Sequence, residues 1–552
     1  MMRQRILTIS NPLGRSITRR CVRPLANSHP LLCGRCLPPE AQQLLERPYG
    51  CNDGRELSGA NLNRCSEKVL LARDFIAKSL YNRDNGYFCT KDVINDLPGP
   101  LDFRGMLGEW HYRSTVKKVY DSKLSAWMTP VEVFNPHFSH ALARYITRKF
   151  FEPIPSTLYS PGDRRGKLHD RKMSRSRMCE QLVVYEVGGG TGTNALNVLN
   201  WLRREEPELY KRTEYTIVEI SGRLAERQRD RVCAVHENCH IVNADFLEWG
   251  MSGAPDERPC FFLGMEVLDN LPHDKIAWTI PSYPQENALG AQHPCRHQFP
   301  VGHSIPEELC EAVVIETPNG FQEKFRPLED PVIRELVDLC PDLATMMKPS
   351  TLQSRTAENT EVIGSTWRGA VKDTLSGLLG RDPPRPDLRA AFIPTGCLQL
   401  LSALKRRLPR NRAILADFDS LPVIENAVRS SIHSKGSPEA GDCLLGLNGP
   451  IVSSRDSESG AVTDYDSYMV PLGSADIFFS TCFERLSRLH AMVFGAHQGA
   501  GRLGRPGRRG GRVMKQREFL QEHGDVASTR TLTGYNPLLE DYQNASVFLS
   551  DS

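Results

Sequence analysis

The feature of the sequence that most constrains its fold is a glycine-rich turn between an apolar run and a segment with helical spacing. The apolar run is Leu182–Val187, the turn reads GGGTGT over 188–193, and apolar residues recur at helical intervals over 195–202. A strand, a glycine turn and a helix in this order let backbone amides approach a ligand at a helix N-terminus. Because short β-branched runs and helical stretches alternate from 178 to about 280, the sequence predicts an α/β fold. We expect a mostly parallel sheet with helices on both faces.

The spacing of the glycines separates two classes of nucleotide ligand. The dinucleotide fingerprint G-x-G-x-x-G requires glycine or alanine where this chain has Thr193. The pattern present is Glu186-x-Gly188-x-Gly190-x-Gly192. It resembles the first motif of class I S-adenosylmethionine (SAM) methyltransferases, in which the acid near the strand end belongs to the motif. A nicotinamide-dependent Rossmann oxidoreductase is the alternative.

Two acidic residues follow later β-branched runs. The run YTIVE at 215–219 predicts a second strand, and at its carboxyl end Glu219 could accept both hydroxyls of a ribose. The alternative is a surface glutamate that caps the next helix, but the position of Glu219 at a strand end after a glycine turn favours the ligand role. Asp245 follows the run at 240–244, where the methyltransferase pattern has an acid that faces the adenine amino group. The same residue could instead be the N-cap of a helical turn at 246–249.

An acidic loop follows another apolar run, Cys260–Met265, and reads EVLDNLP over 266–272. Ligands of α/β folds bind at the carboxyl ends of such strands. Glu266 and Asp269 lie three residues apart, so their carboxylates could hold a guanidinium in a fixed plane. They could also cap the following helix.

Taken together, the motifs resemble those of the MidA-type mitochondrial SAM-dependent protein arginine methyltransferases, a family linked to assembly of respiratory complex I. The most specific shared motif is the E-x-x-D-x-L-P loop that begins at Glu266. Further segments recur in the expected order at 85–88, 127–134, 141–145, 394–396, 415–418, 473–478 and 534–537. One departure is TPVE at 129–132, where many members have TSPE. The resemblance covers most of the chain from about residue 80 onward.

The resemblance implies a class I (Rossmann-like) methyltransferase core over 178–552, preceded by a helical N-terminal part at 65–150. It implies the cofactor S-adenosyl-L-methionine and methyl transfer to an arginine of a complex I core subunit. Glu266 and Asp269 would be catalytic and orient the guanidinium, and no metal is expected. The expected cofactor-binding residues are Glu186, Gly188, Gly190, Gly192, Glu219 and Asp245. The alternative is a catalytically silent mitochondrial assembly factor that retains the fold.

Composition bears on location and partners. Residues 1–39 contain seven arginines and no Asp or Glu, which predicts a disordered mitochondrial transit peptide and a matrix location. An ordinary basic tail is the alternative. Lys+Arg total 69 against 66 Asp+Glu, a balance that argues against dedicated nucleic-acid binding. The chain lacks the run of about 18 apolar residues that a membrane span requires, and its sequence does not determine an oligomeric state.

Three polar segments, 281–304, 345–390 and 429–466, are rich in Pro, Gly and Ser and predict inserted surface loops. Segment 499–512 is a Gly/Arg-rich patch, for which a flexible loop is favoured over an RNA-binding segment. Cys33 and Cys36 form a C-x-x-C without a second close pair, so the spacing does not predict a zinc site.

Overall fold

The structure is a computed structural model of the chain. It describes residues 69–152, 180–279, 308–345, 390–421, 448–495 and 511–550, except 92, 95, 96, 98, 123–126, 319, 457 and 458. The predicted transit peptide and the insertion at 281–304 lie outside the described residues. So do nearly all of the insertion at 345–390 and of the Gly/Arg-rich loop at 499–512.

Strands and helices alternate through most of the described chain. The strands are β1 (Val69–Leu71), β2 (Leu182–Val187), β3 (Thr213–Glu219), β4 (Cys239–Asn243), β5 (Cys260–Met265), β6 (Asp274–Thr279), β7 (Glu308–Thr317), β8 (Gly320–Pro327), β9 (Ala390–Ile393), β10 (Asn411–Phe418), β11 (Ile451–Arg455), β12 (Val462–Tyr465), β13 (Asp476–Phe478), β14 (Arg512–Lys515) and β15 (Ala545–Leu549). The α-helices are α1 (Ala72–Tyr81), α2 (Tyr87–Thr90), α3 (Glu109–Ser122), α4 (Pro130–Val133), α5 (His137–Phe151), α6 (Thr193–Glu205), α7 (Pro207–Tyr210), α8 (Gly222–Gln228), α9 (Phe246–Met251), α10 (Pro331–Leu339), α11 (Pro341–Thr345), α12 (Thr395–Arg407), α13 (Phe483–Gly495), α14 (Gln516–His523) and α15 (Pro537–Glu540). A 3-10 turn at Phe103–Gly105 and a π-helix at Arg229–Cys233 complete the set in this part of the chain.

A seven-stranded sheet in the order β14-β15-β10-β5-β2-β3-β4 forms the centre of the fold. The strands β10, β5, β2, β3 and β4 pair in parallel, whereas β15 is antiparallel to both of its neighbours. From β2 the chain builds outward through β3 and β4, then returns to place β5 on the other side of β2. The direction of winding therefore reverses between β2 and β5, and the crevice at such a reversal is where open α/β sheets bind ligands.

Helices cover both faces of this sheet. Along β2, Leu182 and Val184 pack into one hydrophobic cluster with α5 and α6, while Val183 and Tyr185 pack into another with α12 and α13. Alternate residues of a strand point to opposite faces, so a strand that is buried throughout needs helices on both sides. The predicted α/β fold is confirmed.

The N-terminal part joins a second, five-stranded sheet. Its order is β1-β7-β6-β9, with β8 also paired to β7. The following α1 is held there by Arg73, whose guanidinium donates to Asp274 at 2.7 Å and to Asp330 at 2.6 Å. Burial raises the pKa of Asp274 to about 6 despite the neighbouring guanidinium. These ion pairs fix α1 to β6 and to the N-terminus of α10.

A third, small sheet has the order β12-β11-β13. It includes the described end of the predicted insertion at 429–466, which forms β11 and β12. Val452 and Ile477 pack with Phe75 and Ile76 of α1 in one apolar cluster. Among the helices of the described ranges, none has the length and apolar character to cross a membrane.

Candidate active site

A pocket lies at the carboxyl ends of β2 and β5, where the winding of the main sheet reverses. It encloses about 640 Å³ of empty space, part of which is open to solvent. Three parts of the chain line it: the glycine turn at 188–191, Met265 and Glu266 at the end of β5, and an N-terminal wall that includes Phe88, Trp127 and Glu132. The predicted glycine turn and acidic loop therefore meet in one site, with walls from the N-terminal part.

The glycines of the turn adopt backbone conformations that other residues rarely adopt. Gly188, Gly190 and Gly192 have φ angles of +63°, +55° and +83°. Gly188 and Gly190 line the pocket, whereas Gly192 precedes α6 and packs against Val232, whose Cγ2 would lie 2.8 Å from an added Cβ. Glycine adopts such angles without steric cost, which explains why the turn needs this residue.

Glu186 lies in the pocket wall, fully buried. Its Oε1 accepts a hydrogen bond from Asn194 Nδ2 and its Oε2 accepts one from Tyr215, each at 2.8 Å. Burial raises the pKa of Glu186, while both donors favour its ionised form. The carboxylate also fixes the amide of Asn194 with its nitrogen toward Glu186. The Oδ1 of Asn194 is then buried with no hydrogen-bond partner among the described residues.

Glu219 lies at the end of β3, as predicted, and is only 3% exposed. Its Oε1 accepts from the backbone N–H of Ser221 at 2.9 Å and its Oε2 accepts from Gln228 Nε2 at 3.0 Å. Gln228 Nε2 also donates to the carbonyl oxygen of Gly190 at 2.8 Å, which links Glu219 to the glycine turn. Burial raises the pKa of Glu219 to about 7. Within the described residues, Glu219 lies outside the immediate lining of the pocket.

Asp245 is the N-cap of α9. Its Oδ1 accepts a hydrogen bond from the backbone N–H of Leu247 at 2.7 Å. The capping interpretation is therefore confirmed, and the adenine role stays a prediction. Like Glu219, Asp245 lies outside the residues that line the pocket in the described part of the chain.

Glu266 follows β5 with a φ of +54°, one of two positive values among the non-glycine residues of the described ranges. Its backbone N–H donates to Ala416 at 2.9 Å, and the residue lines the pocket. A side chain in the left-handed region costs about 1–3 kcal/mol, and residues held in this way cluster at functional sites. The fold thus holds a carboxylate at the pocket in a strained backbone conformation.

Asp269 occupies a different position from Glu266, with its side chain fully buried. Its backbone N–H donates to Asp417 Oδ2 at 3.0 Å, and its carbonyl oxygen accepts from the N–H of Phe479 at 2.7 Å. These bonds fix the acidic loop to β10 and to the segment after β13. The described lining of the pocket includes Glu266 but not Asp269.

Glu132 and Asn270 are among the polar residues of the pocket to which the sequence analysis assigned no role. Glu132, on α4, is 3% exposed, and its Oε1 accepts from the hydroxyl of Thr191 at 2.5 Å. In the sequence, Glu132 is the last residue of the TPVE segment at 129–132, which belongs to the family resemblance. Asn270 Nδ2 donates to Asp476 at 2.7 Å. No spacing rule distinguishes Asn270 from other residues of the acidic loop.

The chemical character of the pocket follows from these walls. Glu132, Glu186 and Glu266 bring three carboxyl groups to it, and Phe88 and Trp127 contribute aromatic rings. Carboxylates and aromatic faces both attract cations, while the amides of a glycine turn attract anions. Such a site suits a ligand that carries both signs of charge, or a cationic ligand beside an anionic group.

Comparisons with known proteins agree on a class of enzyme. Residues 170–498 match the model of a family described as "Putative S-adenosyl-L-methionine-dependent methyltransferase". A Schizosaccharomyces pombe protein named "Protein arginine methyltransferase NDUFAF7 homolog, mitochondrial" is 30% identical to this chain over 118 residues. That match covers 20% of this chain and 25% of the relative, so the chain is matched to about a quarter of the relative's length.

Two solved structures from Burkholderia thailandensis are similar over most of their length. One holds S-adenosyl-homocysteine and has a TM-score of 0.44 and 15% sequence identity, over 88% of each chain. The other, a native structure, has a TM-score of 0.42 and 15% identity, over 88% of this chain and 87% of that one.

Proposed function

Because the chain belongs to the S-adenosyl-L-methionine-dependent methyltransferase family that it matches over residues 170–498, we propose that it methylates an arginine of a mitochondrial protein. The family resemblance predicted from the sequence is confirmed, and the cofactor is SAM. The observation that supports a methyltransferase site most directly is the meeting of the glycine turn and Glu266 in one pocket at the switch point of the sheet.

The residues of the pocket fit this cofactor. Gly188 and Gly190 form a cradle without side chains, in which an added Cβ would lie 3.2 Å from Val267 at the first position and 3.2 Å from Ile94 at the second. The buried Oδ1 of Asn194 is an acceptor that a ligand N–H could satisfy. The acidic walls suit the positive charges of a sulfonium and an ammonium. These features favour SAM over a nicotinamide dinucleotide.

The sheet order supports a class I (Rossmann-like) core over 178–552. Its five adjacent parallel strands place β2 in the interior, and the antiparallel β15 lies toward one edge. We propose that the N-terminal part at 65–150 completes the pocket, since Phe88, Trp127 and Glu132 belong to it.

The proposed cofactor roles divide among three strand ends. Glu186 and the glycines Gly188, Gly190 and Gly192 hold the methionine portion of SAM. Glu219 accepts hydrogen bonds from the ribose, and Asp245 contacts the adenine. Supporting these roles, the glycine turn follows β2, Glu219 ends β3 and Asp245 follows β4. The carboxyl ends of these strands lie at one edge of the sheet.

On the acceptor side, Glu266 accepts hydrogen bonds from the guanidinium of the substrate arginine and stabilises its positive charge. SAM supplies a methyl group that is already activated by its sulfonium. The protein must therefore mainly orient the nucleophile and exclude water, contributions that together amount to several kcal/mol. The burial of Asp269 favours a role in positioning this loop, because its backbone bonds fix the loop to Asp417 and Phe479.

Three observations support the proposed substrate and compartment. The S. pombe relative is named as a protein arginine methyltransferase and as mitochondrial. The MidA-type resemblance implies a core subunit of complex I as the acceptor. The arginine-rich, acid-free residues 1–39 support delivery to the matrix.

Two measurements test this function. Calorimetry of the purified chain with S-adenosyl-homocysteine tests cofactor binding, and labelling of mitochondrial extract with methyl-tritiated SAM tests transfer. We expect the wild-type protein to bind and to label an arginine of a complex I subunit, identified by mass spectrometry. Glu266→Gln should lose labelling while it retains S-adenosyl-homocysteine binding. Binding without labelling by the wild type would instead identify a catalytically silent assembly factor.

A further inference from the structure

A carboxylate from the N-terminal part lies against the glycine turn. Glu132 occupies the third position of α4, which Thr129 caps by accepting a hydrogen bond from the N–H of Glu132 at 3.3 Å. The side chain of Glu132 is buried in the pocket wall, and it contacts Thr191, a residue of the turn. The N-terminal part therefore brings an acidic side chain directly to the glycine turn in the wall of the pocket.

A chain of hydrogen bonds orients this carboxylate. Arg231 Nη1 donates to Thr191 Oγ1 at 2.9 Å, and Thr191 in turn donates to Glu132 Oε1 at 2.5 Å. A guanidinium has only donors and a hydroxyl has one hydrogen, so this direction makes Glu132 the acceptor. Arg231 and Thr191 therefore fix the position of the Glu132 carboxyl group beside the turn.

Two further polar residues, Glu186 and Asn194, line the same pocket. Glu186, also in the wall, already accepts from Asn194 and Tyr215 through its two oxygens. The Oδ1 of Asn194, at the start of α6, is a buried acceptor with no hydrogen-bond partner in the described part of the chain. Near the turn there are thus a carboxylate and an amide oxygen that together suit a ligand with several N–H donors and a positive charge.

The cofactor has one group with these properties. The amides of a glycine turn at a helix N-terminus attract an anionic group, here the carboxylate of the methionine portion. The α-ammonium is attached to the same carbon as that carboxylate, so it must lie within a few ångströms of the turn. We propose, building on the SAM-dependent function above, that Glu132 binds this α-ammonium and that Asn194 provides a second acceptor. The N-terminal part is then a component of the cofactor site.

A comparison of two ligands tests the role of Glu132. S-adenosyl-homocysteine has the amino-acid portion, whereas 5′-deoxy-5′-methylthioadenosine has the nucleoside and sulfur without it. Hydrogen bonds to charged groups contribute about 1.5–3 kcal/mol, so in calorimetry Glu132→Gln should weaken S-adenosyl-homocysteine binding about 10-fold or more. Binding of methylthioadenosine should change less than about 2-fold, since nothing in that ligand contacts Glu132. Glu109→Gln, the same substitution at an exposed site of the N-terminal part, should leave both affinities unchanged.

The results separate this inference from the function on which it depends. If Glu132→Gln weakens both ligands equally, or neither, the role of Glu132 is wrong while SAM binding stands. If the wild type binds neither ligand, the proposed function fails as well. If Glu132→Gln does not fold, the wild type can be compared on S-adenosyl-homocysteine and its deaminated analogue. A loss of about 10-fold on removal of the amine supports the ammonium subsite, and equal affinities overturn it.

Discussion

The positive φ of Glu266 leads to a prediction about stability that is independent of catalysis. We consider two substitutions at this position, Glu266→Ala and Glu266→Gly. Both remove the carboxylate, and they differ only in the Cβ atom. The difference in their stability therefore measures the cost of holding a side chain at a φ of +54°.

The sign of this difference should be opposite to the usual one. In a helix interior, glycine is less stable than alanine by about 1 kcal/mol because it loses more backbone entropy on folding. In the left-handed region a Cβ costs about 1–2 kcal/mol, which glycine avoids. The second effect exceeds the first at Glu266, since the entropy term of about 0.5–1 kcal/mol is the smaller. We expect Glu266→Gly to be about 1 kcal/mol more stable than Glu266→Ala.

Equilibrium urea unfolding of the full chain measures this difference. Glu226, exposed on α8, provides the matched control, because there the alanine variant should be the more stable by about 1 kcal/mol. An alanine variant at Glu266 that is as stable as the glycine variant, or more stable, would refute the argument. The backbone at Glu266 would then not be strained, and the fold would not hold this carboxylate against a cost.

Three further outcomes follow from buried groups. Burial raises the pKa of Glu219 to about 7, so the protonated side chain contributes stability that is lost as the pH rises through that value. A ribose hydroxyl, by contrast, donates a hydrogen bond to the ionised form of Glu219. S-adenosyl-homocysteine should therefore bind more tightly at about pH 8 than at about pH 6, and Glu219→Gln should flatten the profile; a flat wild-type profile would contradict the ribose role. Arg73→Met leaves the carboxylates of Asp274 and Asp330 without their guanidinium and should destabilise the fold by about 3–5 kcal/mol. Thermal unfolding measures this loss, and a loss below about 1 kcal/mol would count against a stabilising role for the ion pairs. Gly192→Ala places a Cβ atom on a residue with a φ of +83° and should lower the unfolding temperature. An unchanged unfolding temperature would contradict this prediction.

The sequence predicted the central sheet better than the two others. Runs such as Leu182–Val187 and Cys260–Met265 are buried on both faces, and a strand of that kind is continuously apolar and easy to recognise. In the second sheet, β6 pairs with β7 and with β9, which starts at Ala390, so its strands come from separated parts of the chain. Local patterns contain no information about such pairings, and the second sheet was therefore not predicted.

The candidate site shows the same division between local and long-range information. The motif spacing selected both Glu266 and Asp269, because the acidic loop is continuous in sequence. It did not indicate that Asp269 is fully buried, since this depends on packing against β10 and the segment after β13. Glu132 was missed as a residue of the pocket because its contact, Thr191, lies 59 residues later in the chain. The N-cap role of Asp245 was readable in advance, since capping involves only neighbouring residues.

The position of β15 has a consequence for biosynthesis. This strand, Ala545–Leu549, lies between β10 and β14 in the central sheet, so it is an interior strand although it is made after every other strand of that sheet. Until the ribosome passes residue 549, the edge of β10 has unpaired amides and carbonyls that invite aggregation. A premature stop codon upstream of Ala545 would therefore remove an interior strand rather than trim a tail, and the shortened chain should be a target for quality-control proteases.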